Sequence, residues 1–166
     1  TALVGDAGTD YMYPYNAGGQ AYGGAGDAVA VGTNANDVFV MGEGDDVAYG
    51  YGANDYFYMG AGNDVMYGGD GVDVLLGEAG ADYFDGGTGI DYLFLGANDH
   101  AVDMVFLNTA SGIDVVNDFE AGTDVPRLVG TKFQPMSDRR AATRAYGSLR
   151  HITPHPPPPG PGERGA

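Results

Sequence analysis

Between Gly5 and Phe94 an apolar residue returns at every ninth position. Cut into nines from Gly5, the chain gives ten units whose eighth places read Met12, Ala21, Ala30, Phe39, Ala48, Phe57, Met66, Leu75, Phe84 and Leu93. The places on either side are rich in Val, Tyr and Phe, which suit a pleated strand. Side chains alternate across a strand, so position 8 faces one way while positions 7 and 9 face the other. The uniformly apolar position 8 therefore marks the core, and positions 7 to 9 predict a strand of three residues. Two units, strand–turn–strand–turn, close a coil of 18 residues. Successive coils should stack about 4.8 Å apart as parallel strands. The segments between are turns: the fourth place is glycine in seven units, and tight turns call for the positive φ that glycine adopts cheaply.

The polar half of the pattern is a carboxylate at the sixth place. Eight units have it, as Asp10, Asp37, Asp46, Asp55, Asp64, Asp73, Asp82 and Asp91; Gly19 and Ala28 are the exceptions, with Asp27 one place early. Charge sharpens the picture. Thr1 to Pro126 hold 21 Asp and Glu and no Lys or Arg, whereas Arg127 to Ala166 hold 7 Lys and Arg against Asp138 and Glu163, for a net charge of -16. A body of unopposed anions repels itself. High charge alone would predict disorder, but the apolar residues are too many and too regular for that. A divalent cation is the simplest neutraliser. Residues 1–126 exclude nucleic acid as a partner, because no basic side chain is there to meet phosphate. Without cysteine there is neither a disulfide framework nor a thiolate metal site. No stretch approaches the roughly 18 apolar residues of a membrane span. The chain opens at Thr1 with no basic-then-apolar leader and is expected to be a fragment or processed piece.

The repeat resembles the nonapeptide G-G-x-G-x-D-x-U-x (U a large apolar residue) of the RTX, or repeats-in-toxin, family. Units 68–76 and 86–94 match every fixed place; the resemblance is strong over 5–94 and looser over 95–125. It implies an all-β fold, a right-handed parallel β-roll (a β-solenoid) of nonapeptide repeats, with a capping segment and a disordered tail. It also implies calcium. The chemistry can be built from the residues: a turn without Cβ atoms lets its carbonyls converge, and position 6 adds a hard carboxylate. Together these make an oxygen-only nest suited to Ca²⁺ with its 6 to 8 ligands.

In a two-unit coil, turns on one side come from alternate units. One column is then Asp46, Asp64 and Asp82, and the other Asp37, Asp55, Asp73 and Asp91. Ions are expected between Asp46 and Asp64, Asp64 and Asp82, Asp37 and Asp55, Asp55 and Asp73, and Asp73 and Asp91, about five or more in all. Turn glycines expected to join them are Gly42, Gly44, Gly60, Gly62 and Gly69, then Gly71, Gly80, Gly87 and Gly89. Asp99 is expected to cap a column against Asp82. Thr33, Ala35, Tyr51 and Ala53 stand where glycine is usual, which makes the turns at 32–40 and 50–58 less regular sites. From Pro14 to Val31 coil without a good ion site is expected.

After Phe94 the register slips. His100 takes the sixth place behind Asp99 and is expected to be a surface residue, since Ca²⁺ prefers oxygen. "SGIDVVNDFEAGTDVPRL" at 111–128 is similar to the segment that follows RTX repeats, and Val115 and Phe119 would cover the open end. Asp114, Asp118 and Asp124 fit either another ion or ordinary turn roles. The expected division is a roll at 1–94, a capping segment at 95–126 and a basic, Pro-rich, disordered tail at 127–166 with four consecutive prolines.

No zinc helix, nucleophile elbow or cysteine nucleophile is present, and carboxylates committed to calcium are poor proton shuttles, so no enzyme activity is expected of this segment. Outward tyrosines, among them Tyr11, Tyr13, Tyr22, Tyr49, Tyr56, Tyr58, Tyr67, Tyr83 and Tyr92, would align into ladders that offer self-association or carbohydrate contact. The expected function is a calcium-binding module of a secreted, extracellular or cell-surface protein that folds on meeting extracellular Ca²⁺. Two alternatives are an adhesion or surface-layer assembly module and the non-catalytic C-terminal part of a secreted hydrolase whose catalytic domain lies upstream of Thr1.

Overall fold

The computed structural model describes residues 2–13, 18–97, 99–108, 114–129 and 151–152. Among them there is no helix; the chain winds between two parallel sheets. Odd-numbered strands make one sheet: β1 Ala2–Val4, β3 Gln20–Gly24, β5 Val38–Glu43, β7 Tyr56–Ala61, β9 Val74–Ala79, β11 Tyr92–Phe94, β13 Val115–Asn117 and β15 His151–Ile152. Even-numbered strands make the other: β2 Asp10–Met12, β4 Ala28–Val31, β6 Val47–Gly52, β8 Val65–Gly71, β10 Tyr83–Gly89, β12 Met104–Asn108 and β14 Val125–Val129. Each strand pairs with the one a coil away, Val38 with Tyr56 and Tyr56 with Val74, an offset of 18 residues. The β-solenoid expected from the repeat is the fold observed. The expected tail lies, from residue 130 on, almost wholly outside the described residues.

The middle strands run six or seven residues rather than the three expected. Alternation does not stop at position 9. Position 1 of the next unit shares the parity of position 8, so the inward face continues one place further, and Met41, Met59 and Leu95 are as buried there as Phe39 and Phe57. All ten position-8 residues are buried. Bulk alternates between the sheets. Phe39 and Phe57 stack with ring centroids 4.7 Å apart; the even sheet carries only Ala30 and Ala48 in the neighbouring coils. Further along, the large residue is Phe84 and the small one Gly77, where an added Cβ would stand 2.7 Å from the Phe84 ring. That match of large to small keeps the narrow core filled without overpacking.

Beyond Phe94 the sheets continue at a wider pitch. Tyr83 pairs with Met104, 21 residues on, and Tyr92 with Val115, 23 residues on. Val116 is the buried residue of β13, while Val115 is half-exposed; Phe119 packs against the core as expected. The difference is one of parity: Val116 pairs with the core residue Leu93. β14 crosses the boundary expected at 126.

Candidate metal centre

Position 6 lies two residues before position 8, so its side chain points to the inner face as the turn enters the strand. Asp37, Asp46, Asp55, Asp64, Asp73, Asp82 and Asp91 are all buried, none more than 2% exposed. One carboxylate oxygen of each is served by backbone. The amide of Asp37 donates to Oδ1 of Asp55 at 2.7 Å, and that of Asp55 to Oδ1 of Asp73 at 2.7 Å. The amide of Asp46 donates to Asp64 at 2.8 Å, that of Asp64 to Asp82 at 2.8 Å and that of Asp73 to Asp91 at 2.9 Å. Two columns of the expected membership are thus tied together, rung to rung, with every carboxylate completing the turn of the preceding coil.

The second oxygen is different. Oδ2 of Asp46, Asp55, Asp64, Asp73, Asp82 and Asp91 is buried and has no hydrogen-bond partner. A buried carboxylate oxygen without a donor is costly, and six of them at one repeated place are a property of the design. Burial accordingly pushes these groups above the ordinary 3.8: Asp46 and Asp73 to about 7, Asp82 to about 8, and Asp55, Asp64 and Asp91 to about 6. Backbone donors pull the other way, and neighbouring carboxylates, such as Asp64 beside Asp82, add to the rise. The only close contact between a basic and an acidic side chain among the described residues is His100 Nδ1 with Glu120 at 3.2 Å, with His100 exposed at the surface as expected.

Glycine turns bring the carbonyl oxygens of one coil close to the backbone of the next. Gly60 and Gly62 have φ of 106° and 146°, and a Cβ on either would run into the carbonyl oxygen of Gly42 or Gly44 one coil back. Gly69 and Gly71 meet the carbonyls of Tyr51 and Ala53 in the same way, Gly80 that of Gly62, and Gly87 and Gly89 those of Gly69 and Gly71. Tyr51 and Ala53 hold φ of 77° and 73° without being glycine, so the turn at 50–58 keeps the regular shape despite its composition. No group of three or more acidic, His or Cys side chains converges among the described residues. The donors on offer to an ion here are paired carboxylates and backbone carbonyl oxygen. That donor set, all hard oxygen and buried, fits Ca²⁺.

Two expected ligands stand apart. Oδ2 of Asp37 is taken by the amide and hydroxyl of Thr33, at 2.6 and 2.9 Å. Asp99 is half-buried and accepts from the amides of Gly80 and Ala101, both at 3.1 Å. The column above Asp82 is continued by Asp103, whose Oδ1 receives the Asp82 amide at 2.9 Å. Asp114 continues the other column above Asp91 at 3.2 Å, and Asp124 follows Asp103 at 3.2 Å. Sequence reading passed over Asp103, because the insertion at 95–103 moves it out of the nine-residue frame. It also passed over position 5. Asp27, Asp45 and Asn63 each accept an amide from the next coil, at 2.9, 2.7 and 3.0 Å, as do Asn36 and Asn54 at 3.1 and 2.9 Å. The recurring Asn-Asp and Asp-Asp pairs were the available signal. On the outer face, Tyr49 and Tyr67 stack at 5.0 Å with planes 3° apart, turning their faces on each other.

Two overlapping segments, residues 31–66 and 58–93, match the family described as RTX calcium-binding nonapeptide repeat, in four copies. No curated protein and no solved structure matches the chain.

Proposed function

Residues 31–93 belong to the RTX calcium-binding nonapeptide repeats, and from that premise we propose that this β-solenoid is a folding switch worked by calcium outside the cell. The carrying observation is the six buried Oδ2 atoms without a donor, in a body that has no Lys or Arg before residue 127. Ions lie between neighbouring turns of a column, held by Asp46 with Asp64, Asp64 with Asp82, Asp55 with Asp73, and Asp73 with Asp91. Carbonyls of the turns 42–44, 60–62, 69–71, 80 and 87–89 complete the shells. Two carboxylates leave each site near neutral.

Where calcium is scarce the columns are uncompensated and the chain stays open; at the millimolar calcium outside cells the sites fill. The sites do not exist in the unfolded chain, so binding free energy becomes folding free energy. Affinities on the order of 10⁻⁴ to 10⁻³ M, usual for extracellular modules, would set the switch in that range. In this reading residues 1–94 form the roll and the segment after it closes the roll through Asp103, Asp114 and Asp124, with β14 carrying the even sheet on to Val129. The role is structural and not catalytic.

Circular dichroism with and without Ca²⁺ tests it. A strand signal should appear with Ca²⁺ and not with Mg²⁺, whose tight octahedral shell suits these turns poorly. Full strand signal in a chelated sample would sink the switch.

A further inference from the structure

We propose that the turn from Gly32 to Asp37 is closed to calcium, because Thr33 occupies the carboxylate oxygen that the six following turns leave open; this rests on the calcium reading above. Two independent observations single the turn out. The first is hydrogen bonding. Oδ2 of Asp37 accepts from the Thr33 amide at 2.6 Å and from its hydroxyl at 2.9 Å, while Oδ1 accepts from the amide of Gly19. Both oxygens are therefore fully served by protein. In the turns ending at Asp46, Asp55, Asp64, Asp73, Asp82 and Asp91, Oδ2 has nothing.

The second is backbone shape. In those six turns the second and fourth places all have positive φ, as in Gly42 and Gly44, and even where the residues are Tyr51 and Ala53, or Glu78. Thr33 and Ala35 do not. A β-branched residue resists the left-handed region. Held on the ordinary side, the Thr33 amide turns inward to the carboxylate, and the hydroxyl also caps the turn by accepting the Ala35 amide at 3.2 Å. The same amide-to-Oδ2 closure recurs at the far ends of the solenoid, from Asp6 to Asp10 at 2.8 Å and from Glu120 to Asp124 at 2.6 Å. Self-satisfied turns thus bracket the run of open ones.

It follows that the pair Asp37–Asp55 offers one free Oδ2 and binds no ion of the regular kind. Only the four pairs with two orphaned oxygens do.

Native mass spectrometry of the full chain in calcium counts the ions directly. The wild type should carry four regular ions. Asp37→Asn should keep that count, whereas the double variant Thr33→Gly with Ala35→Gly, which frees Oδ2 and permits positive φ, should gain one. An ion lost in Asp37→Asn, or no ion gained in the double variant, overturns the proposal. Should Asp37→Asn fail to fold, the double variant decides. A wild-type chain that takes up no calcium overturns the calcium reading and this proposal together, which sets that failure apart from the others.

Discussion

Asp73 and Asp10 occupy the same place in the repeat and have different work. Asp73 is fully buried, ties down the Asp55 amide through Oδ1 and leaves Oδ2 bare between two neighbours of its column. Asp10 is half-exposed, and its Oδ2 is already held by the Asp6 amide. Asp73→Asn keeps an acceptor for the Asp55 amide and removes a charge from two ion sites at once. It should raise the calcium concentration at the folding midpoint about tenfold or more, since ligand charge sets affinity in such sites. Asp10→Asn should shift it by no more than about twofold. Calorimetric or dichroic titration of the two variants makes the comparison, and equal shifts would refute the assignment of columns. Strain also sits at single residues: Tyr51, Ala53 and Glu78 hold left-handed φ that costs about 1 kcal/mol or more apiece. The chain tolerates it because the turn must keep its shape for the carboxylate beneath.

At the level of strands and turns, much of the structure was written in the nine-residue frame. Position 8 named the core correctly in all ten units, because one apolar residue per strand with fixed parity leaves no other face to bury. Strand length was less legible. Position 1 is glycine in most units, which hides its inward parity, and only Met41 and Met59 betray it. Of the site, the two columns were readable since an 18-residue coil fixes which aspartates stack. The ladder's hydrogen bonds were not, for spacing says nothing about which carboxylate oxygen meets an amide. Thr33 looked like a mere glycine substitute, although its hydroxyl and amide change the chemistry of the turn. Past Phe94, insertions of three and five residues shift Asp103 and Asp114 out of frame while the sheets carry on in register. Pairing of strands, which sequence period cannot see, restores them to the columns.

For the molecule as a whole, buried acidity sets the response to pH. Without metal the folded carboxylates titrate at about 6 to 8, above the ordinary 3.8, so the fold holds protons that the open chain has already lost. Metal-free stability is therefore fully present below about pH 4 and is lost as pH rises through 6 to 8. Whatever strand signal the metal-stripped chain shows should be greater at pH 5 than at pH 8, and the gain on adding calcium should be larger at pH 8; a flat metal-free profile would contradict the burial of these groups. The ladder also has a direction. Each position-6 carboxylate serves an amide of the coil before it, whereas the position-5 carboxylates Asp27 and Asp45 serve amides of the coil after. Cutting the solenoid at its two ends is therefore not symmetrical. A chain starting at Gly19 keeps every position-6 pairing of the remaining coils, from the Gly19 amide on Asp37 and the Ala28 amide on Asp46 onward, whereas one stopping at Phe94 strips the acceptors from the buried amides of Asp82 and Asp91, at about 1–3 kcal/mol each. The first truncation should keep its calcium-induced strand signal and the second should lose much of it. The position-6 ladder thus leans on its C-terminal coils more heavily than on its N-terminal ones.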